Sequence, residues 1–166
     1  QRRSGVRARR LSQPGPPPLR SFGLVLHRDG RFTHEGQAIA NRRLRAAFER
    51  GVRFLPAEGK YVVQVGHFRG QLDVEECGFF VCDVDLATGN ITLSDGSGDR
   101  LDPTSLRGSA LDADALLCTV RRDLVAHGLP ARFTRSAQAE LLLGVEQGAR
   151  GFLLHVAGAA YDVPEL

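Results

Sequence analysis

Large apolar residues crowd Phe22 to Arg28, and Asp29-Gly30 interrupts them with a two-residue turn signal. Arg31-Phe32-Thr33-His34 then alternates polar with apolar, so the pattern predicts a β-hairpin. Asn41 is placed to cap a helix, and Leu44, Ala47, Phe48 and Val52 recur at helical spacing. They predict a helix through about Arg53 with arginines on its other face. Gly59 breaks the chain before Tyr61-Val62-Val63-Gln64-Val65, whose β-branched content reads as a strand. Further strands are expected at Gln71–Val74, Phe79–Leu86 and Ile91–Ser94, the last two joined by Ala87-Thr88-Gly89-Asn90. Ser94 to Asp99 is polar and glycine-rich and reads as a loop, followed by an irregular stretch with Asp102-Pro103 and Gly108.

Leu116–Val120 and Ala131–Phe133 are the next expected strands. Thr134 or Ser136 can then cap a second helix through about Gln147, where Ala137, Leu141 and Val145, with Ala139 and Leu142, supply apolar positions before Gly148. Phe152–Val156 and Ala159–Val163 close the chain as a hairpin across Ala157-Gly158. Runs of strands with two intervening helices predict an α+β fold of mostly antiparallel sheets. A repeated phrase points the same way: Arg31-Phe32-Thr33 precedes Gln37-Ala38 at the same spacing as Arg132-Phe133-Thr134 precedes Gln138-Ala139. It suggests two copies of a hairpin-helix-hairpin motif, about residues 21–65 and 66–166.

Composition narrows the function classes. With 166 residues the chain is long enough for one domain that buries roughly two thirds of its unfolded surface. Cys77, Cys82 and Cys118 are odd in number and flanked by apolar residues, which reads as small buried hydrophobes in a reducing compartment rather than a disulfide framework. No apolar run reaches the length of a membrane span and no signal peptide opens the chain, so a cytoplasmic protein is expected. The absence of methionine leads us to expect that the natural start lies upstream.

Charge is unevenly placed. Residues 1–20 hold Arg2, Arg3, Arg7, Arg9, Arg10 and Arg20 with no acid, ahead of a body with a net acidic balance. The proline-rich run Gln13–Pro18 among them predicts a disordered tail over residues 1–20. No aromatic is interleaved with these arginines to stack on a base, so nucleic acid is not the expected partner, and contact with it through the basic tail stands as a further alternative.

At Asp29-Gly30-Arg31-Phe32-Thr33-His34-Glu35-Gly36-Gln37-Ala38-Ile39 the chain resembles the opening of the bacterial domain-of-unknown-function 1285 (DUF1285) family. Leu72-Asp73-Val74-Glu75-Glu76-Cys77-Gly78-Phe79-Phe80-Val81 is similar to its central acidic phrase and following strand. Gly128 to Arg135 with Glu140-Leu141 is similar to its C-terminal segment. Ala38 stands where the family has proline, and Gly66-His67-Phe68-Arg69-Gly70 departs from its connection. The resemblance implies an α+β fold with a repeated motif and a place in bacterial signalling, and it implies no activity.

Chemistry-bearing residues are few. His34-Glu35 beyond the first hairpin can supply an imidazole and a carboxylate, with His27 across the turn, yet no third metal ligand stands at a recognised spacing. His67, His127 and His155 are isolated. Asp83 and Asp85 should share one strand face with Cys82, Val84 and Leu86 on the other, the ordinary look of a solvent-facing strand. Asp95-Gly96-Ser97-Gly98-Asp99 lacks the bidentate Glu of a calcium loop. Nucleophile-elbow, phosphate-loop and dinucleotide signatures are absent, and Cys118 sits in an apolar run that would keep it inert. Arg132 and Arg135 flank the start of the second helix, where an acidic group can be held, or where Glu140 can pair with one of them.

These readings make a non-enzymatic regulatory or interaction module the first expectation, with a protein partner or a second copy as its ligand. The alternative is a small-ligand sensor or enzyme with a cleft between the halves, using His34, Glu35, Arg132 and Arg135. No catalytic residue, cofactor or metal is expected in the first reading.

Overall fold

In the computed structural model, residues 21–163 and 166 are described. The predicted tail over residues 1–20 lies outside them. Strands β1 (Ser21–Leu26), β2 (Phe32–His34) and β3 (Gln37–Ala38) form an antiparallel meander, helix α1 (Arg42–Gly51) follows, and β4 (Val52–Leu55), β5 (Lys60–Val65) and β6 (Phe68–Val74) form a second meander. The two meanders join through a parallel β1–β6 pair, giving the order β3-β2-β1-β6-β5-β4.

The next six strands repeat that plan. β7 (Phe79–Val84), β8 (Asn90–Leu93) and β9 (Gly98–Arg100) form one meander. β10 (Arg107–Gly108), β11 (Leu116–Val120) and β12 (Leu129–Phe133) form the other, and β7 pairs with β12 in parallel. Read from the outer strand of the first meander, the second sheet has the same order as the first. Helix α2 (Arg135–Leu142) follows β12, and β13 (Val145–Gly148), β14 (Gly151–Val156) and β15 (Ala159–Asp162) make a third, three-stranded sheet.

The α+β class and the mostly antiparallel sheets follow the expectation, but the repeated phrase falls on non-equivalent positions. Gln37-Ala38 is a strand, whereas Gln138-Ala139 lies in a helix. The unit shared by the two sheets is two meanders joined in parallel, and the first sheet extends to Val74, beyond residue 65. Only the first sheet has a helix between its meanders; the second has a single 3-10 turn at Pro103–Ser105.

Local departures have local causes. At the first hairpin only Gly30 has positive φ, and its N–H donates to His27 O, so the turn spans His27–Gly30 with a glycine bulge rather than two residues. Asp95-Gly96 uses the same device, which turns the expected loop into the β8–β9 hairpin. α1 stops at Gly51, where a Cβ would strike the Gln64 carbonyl, and Val52 begins a strand. α2 ends at Leu142, and Val145 leaves the predicted helix to pair with Leu154. A register shift between Val81 and Asp83 breaks the alternation, so Cys82 is exposed instead of facing the core.

One core spans both six-stranded sheets. An aromatic ladder runs through their junction: Phe54 meets Tyr61 at 4.9 Å, Tyr61 meets Phe79 at 6.0 Å, and the Arg121 guanidinium lies 5.8 Å from the Phe79 ring. Gly78 has to be glycine here, because a Cβ would overlap the Tyr61 ring. That close approach lets the first sheet seat against the start of the second.

Candidate functional site

Between the first hairpin turn and the start of α2 lies an open cleft of about 620 Å³. Its floor is apolar, with Phe80, Ala115 and Phe133 buried and Leu142 43% exposed at one end. Arg28 and Asp29 reach it from the first sheet; Asp112, Asp114, Arg132 and Arg135 reach it from the second. The cleft therefore draws on both halves of the fold.

Arg132 organises its inner wall. β12 points this side chain toward the junction, where Nη1 donates to Glu76 Oε1 at 3.1 Å and Nη2 donates to Asp112 Oδ2 at 2.6 Å. Arg132 and Glu76 side chains are 11% and 9% exposed, so the pair is largely removed from water. The Ser109 hydroxyl donates to the other Glu76 oxygen and accepts from the N–H groups of Leu111 and Asp112. Burial works against the Arg132 charge, but the hydrogen bonds to Asp112 and Glu76 outweigh it and hold its pKa above the ordinary value. The Asp114 N–H and the Arg132 guanidinium keep the Asp112 carboxyl below the usual carboxylate range.

Neighbouring groups fix the rim. Arg28 pairs with Glu75 through Nε at 3.0 Å and donates through Nη1 to Leu111 O at 2.9 Å, tying the first hairpin to the β10–β11 loop. His27 joins them, 3.2 Å from Glu75 and 2.7 Å from the Thr33 hydroxyl. Gln138 donates to Asp114 O at 2.7 Å and accepts from Leu116 N–H at 3.0 Å, so α2 is locked to the same loop. Thr134 caps α2 by accepting from Ala137 N–H, as its position predicted. Arg135 stands one residue further, exposed at the cleft, with no ion-pair or hydrogen-bond partner among the described residues.

The four predicted ligand residues separate. Arg132 and Arg135 line the cleft together. His34 is exposed on β2 beside the Phe22 ring at 5.8 Å, and Glu35 is exposed in the following turn. Neither lines this cleft. His34 pairs in register with Leu24, so His27 does not face it. Glu140 forms no ion pair with either arginine among the described residues; Glu76 and Asp112 take that role for Arg132. Those two acids are 56 and 20 residues away from it, a distance no local pattern spans.

Other candidates have structural duties. Asp85 accepts from Ala87 N–H in its hairpin loop, and His155 meets Glu146 at 2.7 Å. In the calcium-like stretch an arginine stands where a cation would be: Arg121 Nη1 lies 3.2 Å from Ser97 Oγ and 3.7 Å from Asp95 Oδ2, and Asp99 accepts from its backbone N–H. No group of three metal-ligating side chains is found among the described residues. No helix of the described residues is long and apolar enough to cross a membrane.

No protein-family model and no curated protein matches the sequence. Among solved structures, a DUF1285 family protein from Silicibacter pomeroyi DSS-3 superposes with a TM-score of 0.61 at 17% identity, covering 91% of this chain and 85% of that one. A DUF1285 family protein from Shewanella baltica OS155 gives a TM-score of 0.48 at 13% identity, covering 73% of this chain and 91% of that one. The first comparison shows a shared fold. The family with this fold is the one that the residue phrases resemble.

Proposed function

We propose that the protein is a non-enzymatic binding module, and that the cleft between its two sheets takes a small ligand with an anionic group on an apolar body. The observation that carries this reading is Arg135. The cleft's other two guanidiniums, Arg28 and Arg132, are already bound to carboxylates, whereas Arg135 has no partner among the described residues. It stands at the N-terminal end of α2 beside Ala139 and Leu142, so an anion at the guanidinium would place its apolar part on the floor. Of the cleft's three carboxylates, Asp29 and Asp112 are engaged by Arg31 and Arg132, which leaves Asp114 alone rather than a free pair for acid–base chemistry and favours binding. A regulatory or signalling role, with a partner protein or second copy reading the bound state, belongs to this proposal through the DUF1285 resemblance.

Hexanoate is a suitable first ligand. Calorimetric titration should show saturable binding to the wild type and affinity about tenfold weaker in Arg135→Gln, the usual cost of losing a charged hydrogen bond. Equal affinity in the two proteins, or no binding to either, would remove the proposal.

A further inference from the structure

A second cleft, of about 550 Å³, lies between the Pro103–Ser105 turn, β11 and the end of β15. Its central group is Arg107. In the cross-strand row that holds Leu117, Arg107 and Arg132 stand on either side, one strand away each. Their surroundings differ sharply. Arg132 has two carboxylates, whereas Arg107 has none within ion-pair distance among the described residues. Only neutral acceptors hold it: Nη1 donates to Ser105 O at 2.9 Å and to Thr119 Oγ1 at 3.2 Å.

A half-buried guanidinium is costly without a countercharge, and the two bonds here use only one of its three nitrogens. Nη2 and Nε keep their donors, in the fork geometry that suits an oxyanion. The Thr119 hydroxyl accepts from Arg107 and so retains its own proton to donate. Arg122 lines the same cleft with Nη2 on Asp102 Oδ2 at 2.9 Å and its other donors unengaged among the described residues. Asp162, also in the wall, has no hydrogen-bond or ion-pair partner among the described residues and can accept.

We propose that Arg107, Arg122 and the Thr119 hydroxyl form an oxyanion site for a small phosphate monoester whose body carries a hydroxyl or amine facing Asp162. The two guanidiniums supply the charge, the Ser105 carbonyl and Thr119 fix the orientation of Arg107, and Asp162 disfavours a ligand that is acidic throughout. This site is independent of the cleft at Arg135.

The test uses the full chain at constant ionic strength with inorganic phosphate and O-phosphoethanolamine, read by calorimetry and by backbone amide resonances. Residue-level readout is needed because the six arginines of residues 1–20 also attract phosphate. Saturable shifts are expected at Arg107, Thr119 and Arg122, with affinity about tenfold weaker in Arg107→Gln. Asp162→Asn should tighten inorganic phosphate and weaken O-phosphoethanolamine. Arg135→Gln should leave both ligands unaffected, which separates this site from the other cleft. Arg122 is half exposed, so Arg122→Gln should fold normally, lose affinity, and decide the matter if Arg107→Gln does not fold. Absence of saturable shifts in the wild type, or wild-type affinity in both arginine variants, would overturn the proposal.

Discussion

The two six-stranded sheets share a strand order and use arginine in opposite ways. Residues 21–74 carry nine basic and five acidic side chains, and α1 presents Arg42, Arg43, Arg45 and Arg50 to solvent. Residues 75–166 carry seven basic and fourteen acidic side chains, yet Arg107, Arg121 and Arg132 are drawn into the fold among fixed acceptors. Topology is therefore indifferent to charge. The meanders are set by apolar alternation and turns, while second-half acids hold Arg121 and Arg132 in place and neutral acceptors hold Arg107. The first cleft combines the held Arg132 with the exposed Arg135, and the second contains Arg107, so all three arginines come from the second half.

The sharpest way to break this contrast is to remove its best-held arginine. Arg132→Ala leaves Glu76 nearly buried without its countercharge and should destabilise the protein by about 3 to 5 kcal/mol in urea unfolding. Adding Glu76→Gln should recover part of that loss, since the carboxylate then left without its partner is the more exposed Asp112. Truncating Arg43 on α1, exposed and free of ion pairs among the described residues, should change stability by less than about 0.5 kcal/mol. A larger effect at Arg43 than at Arg132 would reverse the comparison.

Gly78→Ala probes the seam between the halves. Its Cβ would press on the Tyr61 ring of the first sheet, and a cost of about 1 to 3 kcal/mol is expected. Wild-type stability there would mean that the aromatic ladder is not what seats one sheet against the other.

Alkaline titration reads the buried groups near the same seam. Burial pushes Cys77 and Cys118 from 9.0 up to about 12, and Tyr61 from 10.0 up to about 12. A raised folded-state pKa stabilises the protein below the unfolded value, so stability should fall as pH rises from about 9 towards 12. Alkylation should find Cys82 first, because Cys77 and Cys118 are buried. Modification of all three thiols at equal rates in the native protein would contradict that order.

The smallest effect concerns the solvated helix. Arg42 and Arg43 sit at the positive end of α1, whose first turn has no acid, so Arg42→Glu should stabilise by about 0.3 to 1 kcal/mol. Arg50→Glu at the other end should have the opposite sign, and a thermal melt of both variants checks the pair.

How much of this was readable in the sequence depends on the range of the interaction. Asn41 and Thr134 cap their helices as predicted, and Asp29-Gly30 and Ala157-Gly158 make turns, because those signals act within a few residues. β4 and β13 were hidden inside extended helix predictions, since Val52 and Val145 fit a helical stripe as well as a strand. The site was half legible. Arg132 and Arg135 were found from their place beside a helix start, but Glu76, Asp112 and the neutral cradle of Arg107 arise from strand pairings that one sequence does not display.

The proposed binding is organised by second-half arginines at the cleft and not by the exposed arginines of the first half. A hexanoate titration of the full chain, followed by backbone amide resonances, tests it directly. Saturable shifts should gather at Thr134 to Gln138 and Arg28, leave Arg42 to Arg50 unmoved, and vanish in Arg135→Gln. Shifts centred on α1, or shifts that survive in Arg135→Gln, would contradict binding at the cleft.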